Sequence, residues 1–167
     1  MKIRIFVTGG TIDGINLRSK TPRKTYNRQM LAQARINNGI KPSVEILMKK
    51  DSREINDTDR ALILKKCRDC AENQIIITHG TFTMPDTARY LGKKIHDKVI
   101  VITGSAIPFS RNKSDAMFNL GSAFTAVQSL SSGVYIIING EIFQWNNVKK
   151  DLATGRFCRI KRRRGNV

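Results

Sequence analysis

Five short apolar runs, separated by longer polar and amphipathic stretches, constrain the fold of this chain more than any other feature. The runs are rich in β-branched residues and span 2–8, 44–48, 74–78, 98–103 and 134–138. Such runs are typical of strands that are buried on both faces of a parallel sheet. Because helical patterns lie between them, we predict an α/β protein with a doubly wound, mostly parallel sheet.

Four of the intervening stretches have the pattern of a helix. They are 27–38 with Asn27 as N-cap, a stretch from Asn56 or Asp57 to about 72, 86–95, and one from Ser114 or Asp115 that stops before Gly133. Short polar side chains at these starts satisfy the first free amide groups of a helix. The last helix is the longest, and apolar residues recur in it every three or four positions, which predicts one buried face.

The end of the last apolar run carries a turn signal. Asn139-Gly140 predicts a tight hairpin, with 141–143 as a short C-terminal return strand. Right-handed crossovers favour a flavodoxin-like strand order 2-1-3-4-5. In this order the first and third strands are neighbours at the point where the direction of winding reverses. Ligands of open α/β sheets bind beyond the carboxyl ends of the strands at that point.

Two loops rich in hydroxyl groups follow these two strands. They are Thr8-Gly9-Gly10-Thr11-Ile12 and Thr78-His79-Gly80-Thr81-Phe82-Thr83. A threonine becomes a nucleophile when a neutral lysine or a tyrosine takes its proton, and backbone amides of glycine turns stabilise an oxyanion. The alternative interpretation is that the first loop is only a tight strand-to-helix turn. We interpret His79 as a structural residue that orders its turn.

The chain has an unusually basic composition. Thirty Lys and Arg residues against thirteen Asp and Glu give a net charge of +17. Such a charge favours salt-sensitive, non-specific binding of nucleic acid, and the alternative is a solvated surface that promotes solubility. We expect residues 1–158 to form one domain and 159–167 to form a basic, disordered tail that is a candidate contact for nucleic acid.

Other sequence features bear on compartment and cofactors. No apolar run reaches the roughly 18 residues of a membrane span, and the first residues are strand-like rather than a signal peptide. We therefore expect a cytoplasmic protein without membrane association. Cys67 and Cys70 lack a second ligand pair at metal-site spacing, so we expect ordinary thiols on a helix.

Four motifs of the chain resemble, in order and spacing, those of the bacterial-type L-asparaginase family. They are 8–12, 79–84, Thr103-Gly104-Ser105-Ala106-x-Pro108 and Ser114-Asp115-Ala116-x-Phe118-Asn119-Leu120. The resemblance covers nearly the whole chain but only the N-terminal domain of that family, as in its short single-domain members. It implies an amidohydrolase that releases ammonia from a side-chain amide through an acyl-enzyme. It also implies a homo-oligomer that needs no metal or cofactor.

The resemblance also implies roles for individual residues. Thr11 would be the nucleophile, and Thr81 the second catalytic threonine, partnered by Lys150 with Lys149 as the candidate in an adjacent register. Tyr26, on the loop after the first strand, resembles the tyrosine that assists the nucleophile. The expected substrate-binding residues are Gly10, Asp51, Ser52, Gly80 and Phe82, with Ser52 holding the substrate carboxylate.

Phe82 departs from the family pattern. The family has an aspartate there, which binds the α-ammonium of the substrate. Removing one partner of a desolvated charge pair costs about 2–5 kcal/mol, so we expect free asparagine to be a poor substrate. Phe82 is compatible with a substrate without a free α-amine, with a slow enzyme, or with a binding protein that senses a small amide or acid.

Overall fold

A computed structural model describes residues 1–14, 27–34, 36 and 39–160, apart from the side chain of Asn27. The strands are β1 (Lys2–Gly9), β2 (Lys41–Lys50), β3 (Gln74–Thr78), β4 (Val99–Thr103), β5 (Gly133–Ile138), β6 (Glu141–Gln144), β7 (Lys149–Lys150) and β8 (Phe157–Cys158). The α-helices are α1 (Asn27–Gln33), α2 (Asp57–Asp69), α3 (Met84–Gly92) and α4 (Ala116–Ser129). Short 3-10 turns lie at Thr11–Asp13 and Ser52–Glu54.

The main sheet has the strand order β2-β1-β3-β4-β5-β6. The first five strands are parallel and β6 is antiparallel to β5, which confirms the predicted doubly wound α/β fold and its strand order. Asn139 and Gly140 have φ of 51° and 80°. Two consecutive positive φ angles are those of a type I′ turn, so the hairpin forms as the dipeptide predicted.

Each face of the sheet is covered by helices, and this explains the continuous apolar runs. On one face, Ile75 and Ile77 pack in a cluster that includes Ile63 of α2 and Leu91 of α3. On the other face, Ile76 packs in a cluster that takes in residues of α1 and α4. Successive strand residues point to opposite faces, so Ile75, Ile76 and Ile77 of β3 are all buried although they face different clusters.

The strand β2 and the helix α2 differ from their predicted bounds. β2 is ten residues long rather than five, because Lys41 and Lys50 at its polar ends still pair with β1 through the backbone. β2 is an edge strand, and edge strands often end in polar residues. The ends of β2 are therefore not part of the apolar run from which the strand was predicted. α2 starts after Asn56, whose side chain forms a capping box with Asp59. It ends at Asp69, three residues early, because the backbone at Cys70 is extended.

The other predicted helices lie within a few residues of their expected positions. α3 begins at Met84 rather than at 86, because Pro85 is tolerated in the first turn of a helix. The helix predicted over 27–38 ends at Gln33 and is followed by a turn at Ala34, while 35, 37 and 38 lie outside the described residues. The side chain of Asn27 is also outside the described part of the structure, so its predicted role as N-cap stays a prediction.

A second, two-stranded sheet was not predicted. β7 pairs with β8 through Lys149–Cys158 and Lys150–Phe157. The Phe157 ring packs against Phe143 of β6, with 6.4 Å between ring centroids. This small hairpin is anchored to the main sheet and carries Lys150.

The beginning of the expected basic tail is held against the fold. Arg159 donates a 3.0 Å hydrogen bond to Glu141, and the Ile160 amide donates one of 3.1 Å to Asn147. Residues 161–167 lie outside the described part of the chain. Among the described residues, no helix has the length and apolarity needed to cross a membrane.

Candidate active site

A cavity of about 220 Å³ lies at the carboxyl ends of β1, β2 and β3, where the winding of the sheet reverses. It is lined by Gly10, Thr11, Asp51, Ser52, Arg53, Gly80, Thr81, Phe82 and Lys150. Eight of these nine residues were singled out from the sequence, and Arg53 was not. Tyr26 lies outside the described residues, so its role stays a prediction. A larger apolar groove along α4 and β6 has no ionisable side chain among the described residues that line it.

The loops after β1 and β3 approach each other so closely that only glycine fits between them. Gly10 has φ 82° and ψ −176°, a conformation almost confined to glycine. A Cβ on Gly10 would lie 2.3 Å from Cα of Gly80, and a Cβ on Gly80 would lie 2.7 Å from Oγ of Ser52. The Gly10 amide donates a 2.9 Å hydrogen bond to the Lys50 carbonyl. Three loops are therefore packed backbone to backbone around the cavity.

Buried hydroxyl groups fix the spacing of β1 and β3 below the cavity. The Thr8 hydroxyl donates to the Thr78 carbonyl at 2.9 Å, and the Thr78 hydroxyl donates to Asp13 at 3.1 Å. Asp13 is fully buried and was not identified from the sequence. The one feature of the sequence that could have indicated Asp13 is its position, an acidic residue directly after the apolar Ile12. These contacts hold the two threonine loops in register.

Lys150 and Thr81 form a hydrogen-bonded pair inside the cavity. The ammonium Nζ of Lys150 lies 2.6 Å from Oγ1 of Thr81 and 5.7 Å from the centroid of the Phe157 ring. Partial burial, and then the positive charge of Arg53, lower the pKa of Lys150 below that of an ordinary lysine. A lysine of lowered pKa has a larger neutral fraction and is a better proton acceptor near neutrality.

Thr11 lines the same cavity at the start of its 3-10 turn. Its carbonyl accepts a 2.9 Å hydrogen bond from Gly14, so the backbone of the turn is closed. The side chain is half-buried. Within the described ranges the Thr11 hydroxyl has no hydrogen-bond partner, so the oxygen is available to a ligand in the cavity.

The loop after β2 contributes an ion pair and a buried serine. The Asp51 carboxylate caps the turn at the Arg53 amide (2.9 Å) and binds Nε (3.0 Å) and Nη2 (2.9 Å) of the same arginine. Asp51 therefore orients Arg53. Ser52 is 2% exposed, and its hydroxyl oxygen accepts a 3.1 Å hydrogen bond from the Phe82 amide. Its carbonyl accepts one of 2.6 Å from Thr83, which ties the second loop to the third.

Phe82 and Arg53 form one wall of the cavity. The Phe82 ring is 45% exposed, and Cζ of Arg53 lies 5.8 Å from its centroid. That distance is within the range of a cation–π contact. Where the family resemblance implies a carboxylate, this chain presents an apolar ring beside a guanidinium. The clue to Arg53 in the sequence was its position directly after Asp51-Ser52.

His79 supports the third loop from below. It is fully buried, with Nδ1 at 2.7 Å from the Gly80 carbonyl and Nε2 at 2.9 Å from the Thr87 hydroxyl. Because a carbonyl only accepts, Nδ1 carries the proton and Nε2 accepts from Thr87. Burial lowers the pKa of His79 to about 4. His79 is thus a neutral residue that fixes Gly80, in line with its predicted structural role.

The cysteines do not contribute to this cavity. Cys67 is buried in α2, where burial raises the pKa of its thiol, and Cys70 lies at the end of that helix. Neither is in a disulfide. In the part of the chain that the structure describes, no group of three or more His, Cys, Asp or Glu side chains is arranged to hold a metal ion.

Fold and site together define a doubly wound α/β protein whose switch-point cavity is lined by two threonines, two glycines and a lysine of lowered pKa. The chain belongs to the asparaginase family: residues 2–158 match the family model "Asparaginase, N-terminal". The order of the sheet and the position of the cavity at its switch point agree with this assignment.

Comparison with individual proteins gives the same result. The chain is 30% identical over 164 residues to a glutaminase-asparaginase of Acinetobacter glutaminasificans, covering 89% of this chain and 49% of that protein. It is 30% identical over 161 residues to an L-asparaginase of Thermococcus kodakarensis, covering 93% and 49%. The solved structure of the thermostable L-asparaginase from Thermococcus kodakarensis superposes with a TM-score of 0.82 at 28% identity, over 96% of this chain and 51% of that one. The chain thus spans about half the length of these relatives.

Proposed function

We propose that this chain is an asparaginase-like amidohydrolase that uses Thr11 as nucleophile to hydrolyse a side-chain amide. The observation that carries the proposal is the 2.6 Å hydrogen bond between Lys150 and Thr81, in the cavity that Thr11 also lines. The two relatives described above, a glutaminase-asparaginase and an L-asparaginase, support amides as the substrate class.

In the proposed first step, Oγ1 of Thr11 attacks the amide carbon and the C–N bond breaks. The Thr11 proton is taken up by a base and returned to the leaving nitrogen, which departs as ammonia. Tyr26 and neutral Lys150 are the candidate bases. The candidate donors to the oxyanion are backbone amides of the Gly10 and Gly80 turns, other than the Gly10 amide that is bonded to Lys50, since both turns border the cavity.

In the proposed second step, water attacks the Thr11 ester and releases the acid. Neutral Lys150 accepts a proton of the water through the Thr81 hydroxyl, with which it is already hydrogen-bonded. The C–O bond to Thr11 breaks, and the proton is returned to Oγ1 of Thr11, which restores the hydroxyl and the neutral lysine. The sum of the two steps is an amide plus water giving a carboxylic acid plus ammonia. The route uses side chains and backbone amides of this chain and calls on no metal or cofactor.

The test is Thr11-dependent release of ammonia from amides by the purified protein. We expect Thr11→Ala to lower the rate by roughly 1000-fold or more, because removal of a nucleophile leaves only the remaining site contacts. Thr125→Ala, on the exposed surface of α4, is the matched control and should keep the full rate. Ammonia release that survives in Thr11→Ala would contradict the proposed nucleophile.

A second candidate function is a small-molecule-binding protein that has lost turnover. Phe82 favours it, because the family's carboxylate is missing from the cavity. Calorimetric titration of the folded protein with asparagine and aspartate separates the two candidates. Binding without ammonia release on any tested amide would favour the binding protein.

A third candidate is association with nucleic acid, favoured by the net charge of +17. Retention on heparin, with and without residues 159–167, tests whether the basic tail carries this binding. Loss of retention on truncation would support a role for the tail. We also propose that the chain acts as a cytoplasmic homo-oligomer, as the family resemblance implies, and light scattering at several concentrations checks the assembly.

A further inference from the structure

The charges around the cavity are unbalanced, and this bears on the substrate. Among the described residues that line it, Arg53 and Lys150 are cationic and Asp51 is the one carboxylate. Both oxygens of Asp51 bind Arg53, at distances of 2.9 to 3.0 Å. The carboxylate is therefore already paired within its own turn. With two cations against one carboxylate, the lining has a net positive charge when Lys150 is protonated, and no unpaired carboxylate among the described residues lines it to receive an incoming ammonium group.

Other acidic residues near these loops are also engaged. Glu54 accepts a 3.0 Å hydrogen bond from the Asp51 amide, and Asp59 binds the Lys50 ammonium at 2.7 Å. Asp13 is buried below the cavity, where it accepts the Thr78 hydroxyl. None of these three carboxylates lines the cavity in the part of the chain described.

Arg53 has the free donors and the fixed position that binding of an anion requires. A guanidinium has five N–H donors. Asp51 takes one at Nε and one at Nη2, and the remaining three have no partner among the described residues. The side chain is 48% exposed, and it is held between the Asp51 carboxylate and the Phe82 ring. A planar, fixed guanidinium of this kind binds carboxylates through paired hydrogen bonds.

The two cations occupy distinct chemical settings in one cavity. Lys150 is hydrogen-bonded to Thr81 and so belongs to the reacting end of the proposed site. Arg53 belongs to the loop after β2, where it contacts no threonine hydroxyl among the described residues. Its positive charge nevertheless contributes to lowering the pKa of Lys150, so Arg53 and Lys150 interact electrostatically across the cavity.

We propose that the cavity takes the monoamide of a dicarboxylic acid, a substrate with a carboxylate and no ammonium, and that Arg53 binds this carboxylate. The proposal rests on the amidohydrolase function proposed above and names its substrate class. Arg53 is the specificity-determining residue, and Phe82 adds an apolar wall where an ammonium would need a carboxylate. Asp51 is a positioning residue that acts through Arg53.

The test compares succinamic acid with asparagine, two amides that differ only in the α-ammonium. We expect the wild-type protein to release ammonia from succinamic acid with a kcat/KM about tenfold or more above that for asparagine. Arg53→Gln should raise KM for succinamic acid about tenfold, because it removes the contact with the substrate carboxylate. The effect on kcat should be smaller and should fade at high pH, because the loss of the Arg53 charge raises the pKa of Lys150 but leaves the reacting groups in place. Arg111→Gln, an exposed arginine outside the cavity, is the matched control.

A second variant approaches the same question from the opposite direction. Phe82→Asp places a carboxylate beside Arg53 and should shift the preference toward asparagine by about tenfold. Circular dichroism checks that each variant is folded. A Phe82→Asp protein that is folded and keeps the wild-type preference would count against the proposal.

The outcomes separate this proposal from the proposed function. Thr11-dependent ammonia release with asparagine equal to or better than succinamic acid overturns the substrate class and leaves the amidohydrolase standing. Absence of ammonia from every amide overturns the amidohydrolase, and calorimetric binding then decides the ligand class. Tighter binding of succinamic acid than of asparagine, lost in Arg53→Gln, supports the proposal, and equal or reversed affinities overturn it.

Discussion

Lys150 and Thr81 are 69 positions apart in the chain, yet Nζ of the first lies 2.6 Å from Oγ1 of the second. The two residues come from different parts of the fold. Thr81 follows the central strand β3, and Lys150 belongs to the small hairpin of β7 and β8. The pair therefore exists only when the hairpin is docked on the main sheet.

The first prediction concerns this pair. Lys150→Met should lower ammonia release from amide substrates by about 100- to 10,000-fold, the usual contribution of a general acid–base group. Thr81→Val, which removes the hydroxyl and keeps the shape, should have a comparable effect. Lys149→Met, the exposed neighbour on β7, is the control. Equal losses in Lys149→Met and Lys150→Met would contradict the assignment.

The pH dependence of the rate follows from the lowered pKa of Lys150. A base acts in its neutral form, so the rate should rise with pH and level off at a lower pH than for an ordinary lysine. Lys150→Arg should lose this rise, because a guanidinium stays protonated over the whole range. The measurement is kcat/KM between pH 5 and 10, and an identical profile in Lys150→Arg would exclude Lys150 as the titrating base.

A further prediction concerns the close approach of Gly10 and Gly80. Gly10→Ala should destabilise the protein by roughly 2–5 kcal/mol, since it forces a Cβ into the Gly80 backbone at a positive φ. Gly121→Ala is the matched control, because in the described structure a Cβ there meets nothing within 4 Å on the helix α4. That variant should be stabilised by about 1 kcal/mol. Urea unfolding of both variants measures the free energy of unfolding, which should fall for Gly10→Ala and rise for Gly121→Ala.

His79 should make the protein sensitive to mild acid. Its pKa is about 4 in the folded protein and near 6.5 in the unfolded chain. Above pH 6.5 neither state is protonated, and as the pH falls toward 4 the unfolded state binds a proton that the folded state does not. The stability present above pH 6.5 is therefore lost, by roughly 3 kcal/mol in total.

The experiment on His79 is urea unfolding at pH 7.0 and pH 5.0. The wild-type protein should lose stability between these values, and His79→Gln should lose less. His96 is the only other histidine in the chain and is exposed, so His96→Gln is a direct control that should behave as the wild type. A wild-type protein with the same stability at both pH values would be evidence against the burial of a neutral His79.

Asn119 should be essential for stability although it lies outside the cavity. Its fully buried side chain donates to Gly104 (2.9 Å) and Asp115 (3.0 Å) and accepts from the Asn139 amide (2.8 Å). Asn119→Ala leaves buried partners unsatisfied and should cost about 3–5 kcal/mol. The exposed Asn147→Ala should cost less than about 1 kcal/mol, and thermal unfolding distinguishes the two.

Much of the fold could be predicted because most strands and helices have a local pattern of apolar and polar residues. The runs at 74–78 and 98–103 are short and apolar because β3 and β4 are covered on both faces. The ends of β2 could not be predicted, because an edge strand tolerates lysine where a central strand does not. β7 and β8 are two residues each, too short to show any periodicity.

The candidate site was predictable to a different degree. Parallel strands place the loops of Thr11 and Thr81 at the same edge, so their meeting in one cavity follows from the strand order. The part played by Lys150 depended on the family resemblance, since nothing in the local pattern points to its hairpin. Arg53 was missed because its contacts with Asp51 and Phe82 are formed only by the turn and the folded loops. The cytoplasmic location, the assembly and the binding of nucleic acid stay predictions.

The hairpin that carries Lys150 also sets the order in which a growing chain acquires the site. All six strands of the main sheet end by Gln144, so the segment that carries Lys150 is synthesised after all of them. Domains tend to fold as they emerge. The amine of Lys150 is therefore made after both threonine loops, and its bond to Thr81 can form only once the segment of β7 and β8 has been added to the chain.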